Sequence, residues 1–310
     1  MLVRSRLAAV ALGVAVLAVS SSAPLIVFAA APALAIAFWR NALAVGVLAP
    51  AAALRRRTEL RELFRSDRRA AAVSLAAGVA LAIHFATWIP SARLTSIAGA
   101  TALVATQPVW QGLIAVGQRR HLPRGTWLGI AIAVAGAVVA TGADVAVSAE
   151  AVRGDLLALA AAMASATYTA LGERARTAIS TTSYTALCYS VCAVLLLATC
   201  AAARIPLTGY PVAAWLAILA MTVGPQLLGH SLFNFSLERF SATTVSVVIL
   251  LEVPGAALLG WLWLGQALPA RAWPGLLLLV TGVAVVGLSA RTGLRPARLG
   301  ESIPDRTGLP

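Results

Sequence analysis

Lysine is absent from this sequence, and charged residues of all kinds make up only 11% of its 310 residues. Average soluble proteins carry about 25% charged residues. The shortage is matched here by 60% hydrophobic residues and a mean hydropathy of +0.88, so an ordinary soluble domain is excluded. The composition predicts an all-α membrane protein that crosses the bilayer several times.

Cysteine and histidine are also scarce, with three residues of each type. Cys188, Cys192 and Cys200 fall in one apolar run that has no cluster of histidines or carboxylates beside it. A structural zinc ion needs about four converging ligands. The sequence therefore predicts no metal site and no cofactor, and the cysteines are interpreted as small hydrophobic residues inside a helix.

Arginines outnumber acidic residues and give a formal net charge of +13. Such a charge can indicate a nucleic-acid partner or membrane orientation, and the location of the arginines decides between them. Nineteen of the twenty-four arginines fall in segments that share the side of the N-terminus. This bias predicts cytoplasmic N and C termini in the cell (cytoplasmic) membrane and no nucleic-acid partner. The segment from Arg55 to Arg69 is interpreted as an anchor on an anionic leaflet of the lipid bilayer, with specific headgroup binding as the alternative.

The apolar runs are long enough to cross a bilayer. A hydrocarbon core of about 30 Å needs about 20 apolar residues per helix. Counting such runs predicts ten transmembrane helices, separated by short connections. Their ranges are 7–29, 33–53, 70–89, 94–117, 125–143, 154–173, 183–203, 212–236, 241–264 and 272–290.

A long internal repeat organises these helices. Thirteen residues between Gly78 and Val139 have an identical residue 146 positions later, among them His84 with His230 and Pro108 with Pro254. The repeat predicts two homologous five-helix units, 7–143 and 154–290, followed by a disordered cytoplasmic tail at 291–310. Because five is an odd number, the second unit must enter the membrane from the opposite side. Inverted repeats of this kind recur in secondary transporters, where the substrate site lies between the repeats.

Two charged residues fall deep inside predicted helices. A charge at the bilayer centre costs roughly 2.5 to 3.5 kcal/mol on insertion scales, so each one needs an explanation. Counted along their helices, Arg40 and Glu252 reach depths that differ by only ~4 Å. One hypothesis is that Glu252 exchanges a proton while Arg40 holds anionic groups of a substrate. The alternative is a static ion pair that joins the two halves.

Other polar residues inside the helices predict a cavity wall. Counting places His84 about 9 Å from one membrane edge and His230 about 9 Å from the other, so the two are expected at opposite ends of the pathway. Each histidine is either a functional group or a hydrogen-bonded interior residue. The other candidate cavity residues lie on the third, fourth, sixth and eighth predicted helices: Trp88, Gln107, Trp110, Gln111, Tyr168, Gln226 and Asn234.

Pro108 and its repeat mate Pro254 predict interruptions of the fourth and ninth helices. A proline cannot donate a backbone hydrogen bond and frees a carbonyl one turn earlier. In a membrane, such a break is tolerated only against protein or water. A matched pair of broken helices indicates a binding site in a transporter, although a kink needed only for packing is the alternative.

Several stretches resemble a known family. Ala35-Ile36-Ala37-Phe38-Trp39-Arg40, Trp127-Leu128-Gly129, Leu250-Leu251-Glu252-Val253-Pro254, Trp261-Leu262-Trp263-Leu264-Gly265 and Trp273-Pro274-Gly275 are similar to the EamA-type repeat of the drug/metabolite transporter superfamily. The resemblance implies a ten-helix transporter, often an exporter of amino acids or other small metabolites, with a central cavity. One departure is that Gly117-Gln118 and Gly265-Gln266 stand where the family often has Gly-Glu.

The sequence therefore predicts a permease that exports a small metabolite, an amino acid or a related compound, by alternating access. It is not expected to be an enzyme. A membrane-embedded enzyme using His84, His230 or Glu252, and a sensor or scaffold without transport, are the alternatives. Proton coupling and assembly into a homo-oligomer are both left open by the sequence.

Overall fold

The computed structural model describes residues 2–94, 97–141, 148–265 and 270–292. Within these ranges all regular elements are helices, which confirms the predicted all-α class. The predicted disordered tail lies, beyond Thr292, outside the described residues. The same is true of Gln266, the second glutamine that departs from the family pattern.

The first half of the chain folds into eight helical segments, several of which are pieces of one predicted span. In chain order they are α1 (Leu2–Ser20), α2 (Ser22–Phe28), α3 (Ala33–Arg55), α4 (Arg57–Arg65), α5 (Arg68–Leu94), α6 (Ile97–Val104), α7 (Gln107–Gly117) and α8 (Arg124–Thr141).

The second half contains seven α-helices, one π-helix and a short 3-10 turn among its described residues. They are α9 (Ala149–Ala175), α10 (Thr181–Ala202), α11 (Val212–Met221), the π-helix (Thr222–His230), α12 (Ser231–Ser236), α13 (Ala242–Ile249), α14 (Glu252–Leu264), the 3-10 turn (Ala270–Ala272) and α15 (Trp273–Thr292).

Seven helical stretches are long and apolar enough to cross a membrane, and two shorter apolar helices accompany them. The seven are Arg6–Ile26, Ala33–Arg55, Arg68–Ser91, Ala149–Ala175, Thr181–Ala202, Val212–Ser236 and Ala242–Trp263; the shorter two are Arg124–Ala140 and Trp273–Ser289. The protein is therefore a multi-pass membrane protein. The count of ten spans and the side on which the termini lie stay predictions.

The two halves exchange their first helices. Helix α9, from the second half, packs along α5, α6 and α7 of the first half. Helix α1, from the first half, packs against the π-helix, α12, α13 and α14 of the second half. The repeat mates α3 and α10 pack against each other, as do α8 and α15. This reciprocal arrangement makes both halves contribute to the centre of the bundle.

Both helices with a matched proline are interrupted just before it. The first break, at Ala105 and Thr106, separates α6 from α7, and the second, at Leu250 and Leu251, separates α13 from α14. Pro108 is the second residue of α7, and Pro254 is the third residue of α14. Each proline follows the break because the missing amide frees a carbonyl one turn earlier.

The basic segment contains a short helix, α4, within the connection predicted between the second and third membrane helices. All seven arginines from Arg55 to Arg69 are exposed, whereas Leu63 is buried in the largest hydrophobic cluster. The carboxylate of Glu59 accepts a hydrogen bond from the backbone amide of Ser180, at 2.5 Å. One face of α4 is thereby docked on the bundle, and its arginines point away from it.

Candidate functional site

A cavity of about 170 Å³ lies at the centre of the bundle, where both breaks and the exchanged helices α1 and α9 meet. Its wall includes side chains from both halves, among them Arg40 and His84 from the first and His230 and Glu252 from the second. A polar group inside a bilayer is stable only against protein or water. The fold meets this requirement by turning these groups inward.

Arg40 is buried in this wall, with 3% of its surface exposed. Its Nε donates a hydrogen bond to Oε1 of Gln226 at 2.8 Å. The Gln226 amide donates in turn to Oδ1 of Asn41 at 3.0 Å, and the guanidinium carbon lies 5.0 Å from the ring centre of Phe85. The charge of Arg40 is therefore held by neutral partners that come from both halves of the chain.

Glu252 begins α14, directly after the second helix break, and faces the cavity. Within the described part of the chain, its carboxylate forms neither an ion pair nor a hydrogen bond. Arg40 and Glu252 influence each other electrostatically without direct contact. The static ion pair considered from the sequence is thus not formed in this conformation, although both groups reach the same cavity.

His84 and His230 both line the cavity, so the prediction that they lie at opposite ends of the pathway was wrong. The ring of Phe85 packs against both imidazoles, with centroids 5.2 Å from His84 and 5.8 Å from His230. The error arose because α5 continues to Leu94, five residues beyond its predicted end. His84 therefore lies ~15 Å from the end of its helix rather than ~9 Å.

Hydrogen bonds fix the orientation of several wall residues. Nδ1 of His84 lies 3.0 Å from the carbonyl oxygen of Ala161, and since a carbonyl can only accept, this nitrogen carries the proton. The Asn234 amide donates to the Tyr168 hydroxyl at 2.6 Å, and the Gln107 amide donates to the Thr169 hydroxyl at 3.3 Å. The wall is consequently a set of oriented donors and acceptors rather than a loose polar surface.

Eight of the thirteen residues singled out from the sequence lie on the cavity wall: Arg40, His84, Trp88, Gln107, Tyr168, His230, Asn234 and Glu252. The other five, Trp110, Gln111, Gln226, Pro108 and Pro254, do not. Gln226 acts from behind the wall by holding Arg40. Phe85 and Phe233 were missed, because a phenylalanine in an apolar helix gives no sequence signal of a cavity.

Arg176 links two helices of the second half beside the cavity, since it binds the backbone of the wall residue Asn234. It lies one residue after α9 and is buried, with Nε donating to the backbone oxygen of Asn234 at 3.1 Å. Its other nitrogens donate to the carbonyl oxygen of Ile179 and to Oε2 of Glu238. Burial lowers the pKa of this guanidinium, and the charge of Glu238 opposes that shift. Arg176 therefore ties α9 to the helix that carries Asn234.

Replacing Arg176 by glutamine is expected to destabilise the protein by ~2 kcal/mol, because two buried carbonyl oxygens lose their donors. Thermal unfolding in detergent would measure this as a lower melting temperature. Arg174→Gln is the matched control, since Arg174 is exposed and lies only two residues away. Equal melting temperatures of the two variants would contradict the role of Arg176 as a tie.

No group of three metal-ligating side chains lies close enough to hold an ion within the residues that the structure describes. The three cysteines are buried and unpaired by disulfides, in α10. They pack in the hydrophobic interior, as Cys188 and Cys192 do beside Tyr184 and Tyr189 in the largest cluster.

Comparison with known proteins agrees with the repeat. The model of the EamA-like transporter family matches residues 6–142 and again residues 152–288. One solved crystal structure superposes with a TM-score of 0.77 over 93% of this chain and 99% of its own, at 21% sequence identity, which supports the fold. No curated protein matches the sequence. Since the two matched ranges cover most of the chain, this protein belongs to the EamA-like transporter family.

Proposed function

We propose that this protein is a secondary transporter that moves a small metabolite through the central cavity by alternating access. The observation that carries the proposal is the central cavity between two homologous halves, with Arg40 and Glu252 on its wall. A charge inside a membrane normally belongs to a substrate or ion pathway. In transporters built from repeats, such a site lies between the repeats, and rocking of one half against the other opens it alternately.

The proposed substrate is an amino acid or a related compound, and the proposed direction is export across the cell membrane. Oriented amides at Gln107 and Asn234 and the rings of Trp88 and Tyr168 suit a small molecule that carries both polar and apolar parts. In this proposal ten helices cross the membrane in two inverted sets of five, with both termini in the cytoplasm. The tail from residue 291 is proposed to be disordered there.

Uptake and efflux of a labelled metabolite panel by proteoliposomes, with and without a pH gradient, tests the proposal. Saturable flux of at least one amino acid or related compound is expected, with a larger rate in the export direction. A strain lacking the protein should in addition become more sensitive to toxic amino-acid analogues. Unchanged tolerance, together with no flux across the panel, would refute the substrate assignment.

A membrane-embedded enzyme is the main competing function. Histidines at opposite ends of the pathway could not have acted on one substrate, but both histidines line one cavity, so their positions do not oppose an enzyme. Membership of a transporter family now opposes an enzyme instead. A scaffold without a ligand is opposed by the polar groups on the cavity wall, and a sensor is separated from a transporter by the flux measurement. Conversion of panel compounds by protein in detergent would favour the enzyme.

Glu252 is the proposed proton-exchanging group. The prediction is that Glu252→Gln removes the effect of a pH gradient on flux, because glutamine cannot release a proton while it keeps nearly the same shape. Flux with and without the gradient should then become equal in proteoliposomes. A Glu252→Gln protein whose flux still responds to the gradient like the wild type would remove the proton role. Glu150→Gln serves as the control, since Glu150 is exposed.

A further inference from the structure

Helix α4 lies at the end of the bundle, between two helices that are long and apolar enough to cross the membrane. The stretch Ala33–Arg55 ends two residues before α4 begins, and the stretch Arg68–Ser91 begins three residues after α4 ends. Because an extended chain spans at most ~3.6 Å per residue, α4 starts and finishes within about 11 Å of the ends of these spans. It is therefore held at the level of the lipid headgroups.

The faces of α4 differ in what they carry. Successive residues of an α-helix are turned by about 100°, so residues four apart share a face. Arg57, Arg61 and Arg65 therefore form one line along α4, the arginine row, and all three are exposed. Glu59 and Leu63 lie ~180° away on the face that docks on the bundle. The docking consequently fixes the direction in which the arginine row points, away from the protein.

An apolar flank lies between the docked face and the arginine row. It consists of Leu60 and Phe64, and Phe64 exposes 50% of its surface. Leu54, near the end of α3, exposes 84%. On the other flank, Thr58 and Glu62 are exposed and polar. This is the pattern of an amphipathic helix in the membrane interface, whose apolar side lies among acyl chains while its arginines reach the headgroups.

The charges of the arginine row are not neutralised by the protein. The segment from Arg55 to Arg69 has seven arginines against three acidic residues, a balance of +4. Two of those acids bind backbone amides, Glu59 that of Ser180 and Asp67 that of Ala70. Within the part of the chain that the structure describes, the arginine row forms no ion pair. Its guanidinium groups are thus available to phosphate oxygens, which accept two parallel hydrogen bonds from an arginine.

We propose that α4 is a binding site for anionic phospholipids of the surrounding bilayer. The headgroup phosphates bind the arginine row, and Leu60 and Phe64 insert among the acyl chains. A soluble phosphate compound would engage the arginines but has no use for the apolar flank, so the flank favours a lipid. This interaction lies outside the central cavity and is separate from the transport function proposed above.

A lipid on α4 also acts on the connection between α9 and α10. Glu59 accepts from the backbone amide of Ser180, the residue that precedes α10. The adjacent carbonyl of Ile179 accepts from Arg176, which also binds the backbone oxygen of the wall residue Asn234. Holding α4 in place through its lipid therefore stabilises a connection that supports the cavity wall.

Lipid titration of the purified full-length protein, followed by native mass spectrometry, tests the binding site. The two probes are phosphatidylglycerol and phosphatidylcholine with identical acyl chains. Phosphatidylglycerol is expected to bind about tenfold or more tightly, and glycerol 3-phosphate should not displace it. Equal affinities would overturn the proposal and leave a soluble acidic partner for α4. Displacement by glycerol 3-phosphate would instead identify a soluble phosphate as the occupant and would also overturn it.

A triple variant locates the preference on α4. In Arg57→Gln, Arg61→Gln, Arg65→Gln, the two lipids should bind with equal affinity. The replaced side chains are exposed, so the melting temperature in phosphatidylcholine should equal that of the wild type. A triple variant that keeps the full preference for phosphatidylglycerol would refute the assignment to the arginine row.

A second triple variant is the matched control. Arg119→Gln, Arg124→Gln, Arg174→Gln removes the same charge from exposed positions on other helices and should keep the preference. Equal loss in both triple variants would show that only the total charge matters, which would overturn a site on α4. Phe64→Ser should weaken both lipids alike, because it removes apolar contact but no charge.

Hydrogen exchange in lipid nanodiscs tests the effect on the α9 to α10 connection. The amide of Ser180 is expected to exchange about threefold or more slowly in phosphatidylglycerol than in phosphatidylcholine. Glu59→Ala should abolish this lipid effect while phosphatidylglycerol still binds, and Glu62→Ala, on the exposed flank, should preserve it. An undiminished lipid effect in Glu59→Ala would refute transmission through this contact. Neither measurement involves flux, so neither outcome bears on transport.

Discussion

Replacing Gly282 by leucine is expected to prevent accumulation of folded protein. A Cβ atom at this position would lie 2.7 Å from the Cα atom of Ala133 on α8, closer than carbon atoms of two helices can approach. Gly136 of α8 and Gly275 of α15 form a second close contact between the same two helices, since a Cβ atom on Gly136 would lie 2.7 Å from the Gly275 carbonyl oxygen. The contacted atoms belong to backbone, so the side chain cannot move aside and α8 must separate from α15. We expect a cost of more than ~3 kcal/mol.

The same helix provides the control. Gly287 has no atom within 4 Å of an added Cβ atom, so Gly287→Leu places an identical side chain on α15 without a clash. Size-exclusion profiles of the detergent-solubilised proteins should show a single folded peak for Gly287→Leu and aggregate or no protein for Gly282→Leu. A folded Gly282→Leu protein with the wild-type melting temperature would show that α8 and α15 do not depend on this close approach.

The glycines of this contact show what could be predicted from the sequence. Because Gly129 and Gly136 recur as Gly275 and Gly282, the repeat itself pointed to small faces on the fifth helix of each half. It did not say that these faces pack against each other, since that depends on how the halves meet. The all-helical class and the interruptions before Pro108 and Pro254 could also be predicted from the sequence. The length of an apolar run and the presence of a proline both act within a single helix.

The composition of the cavity wall was predicted less well, because it depends on helix geometry. Gln226, His230 and Asn234 share one face of a regular α-helix, so all three were expected in the cavity. The chain forms a π-helix from Thr222 to His230, with Pro225 inside it. Because a π-helix has a wider turn than an α-helix, Gln226 is rotated relative to His230 and Asn234. His230 and Asn234 reach the cavity, whereas Gln226 turns to Arg40. The sequence signal of this irregular helix was Gly224-Pro225, since a proline removes a backbone hydrogen bond.

The rotation of Gln226 leads to the second large effect, which concerns Gln226→Glu. Glutamate keeps an acceptor for Nε of Arg40 and adds a negative charge behind the wall, but it loses the amide that donates to Oδ1 of Asn41. Arg40 then has a permanent counter-ion, so its attraction for a carboxylate in the cavity is weakened. Because an ion pair with Arg40 offsets the lost bond to Asn41, we expect a folded protein with a higher melting temperature than Gln226→Leu, whose affinity for the proposed amino-acid substrate falls about tenfold or more. Calorimetry with leucine and phenylalanine, and counterflow in proteoliposomes, would measure the loss.

Gln226→Leu separates this electrostatic effect from simple loss of a hydrogen bond. Leucine has nearly the same size but leaves Nε of Arg40 and Oδ1 of Asn41 without partners, so the melting temperature should fall. If Gln226 only supported the fold, the leucine and glutamate variants would differ in stability alone, and the folded fraction of each would bind normally. Loss of binding in the more stable glutamate variant can arise only if the charge of Arg40 is available to the ligand in the wild-type protein. Normal binding by that variant would exclude Arg40 as the site of the carboxylate.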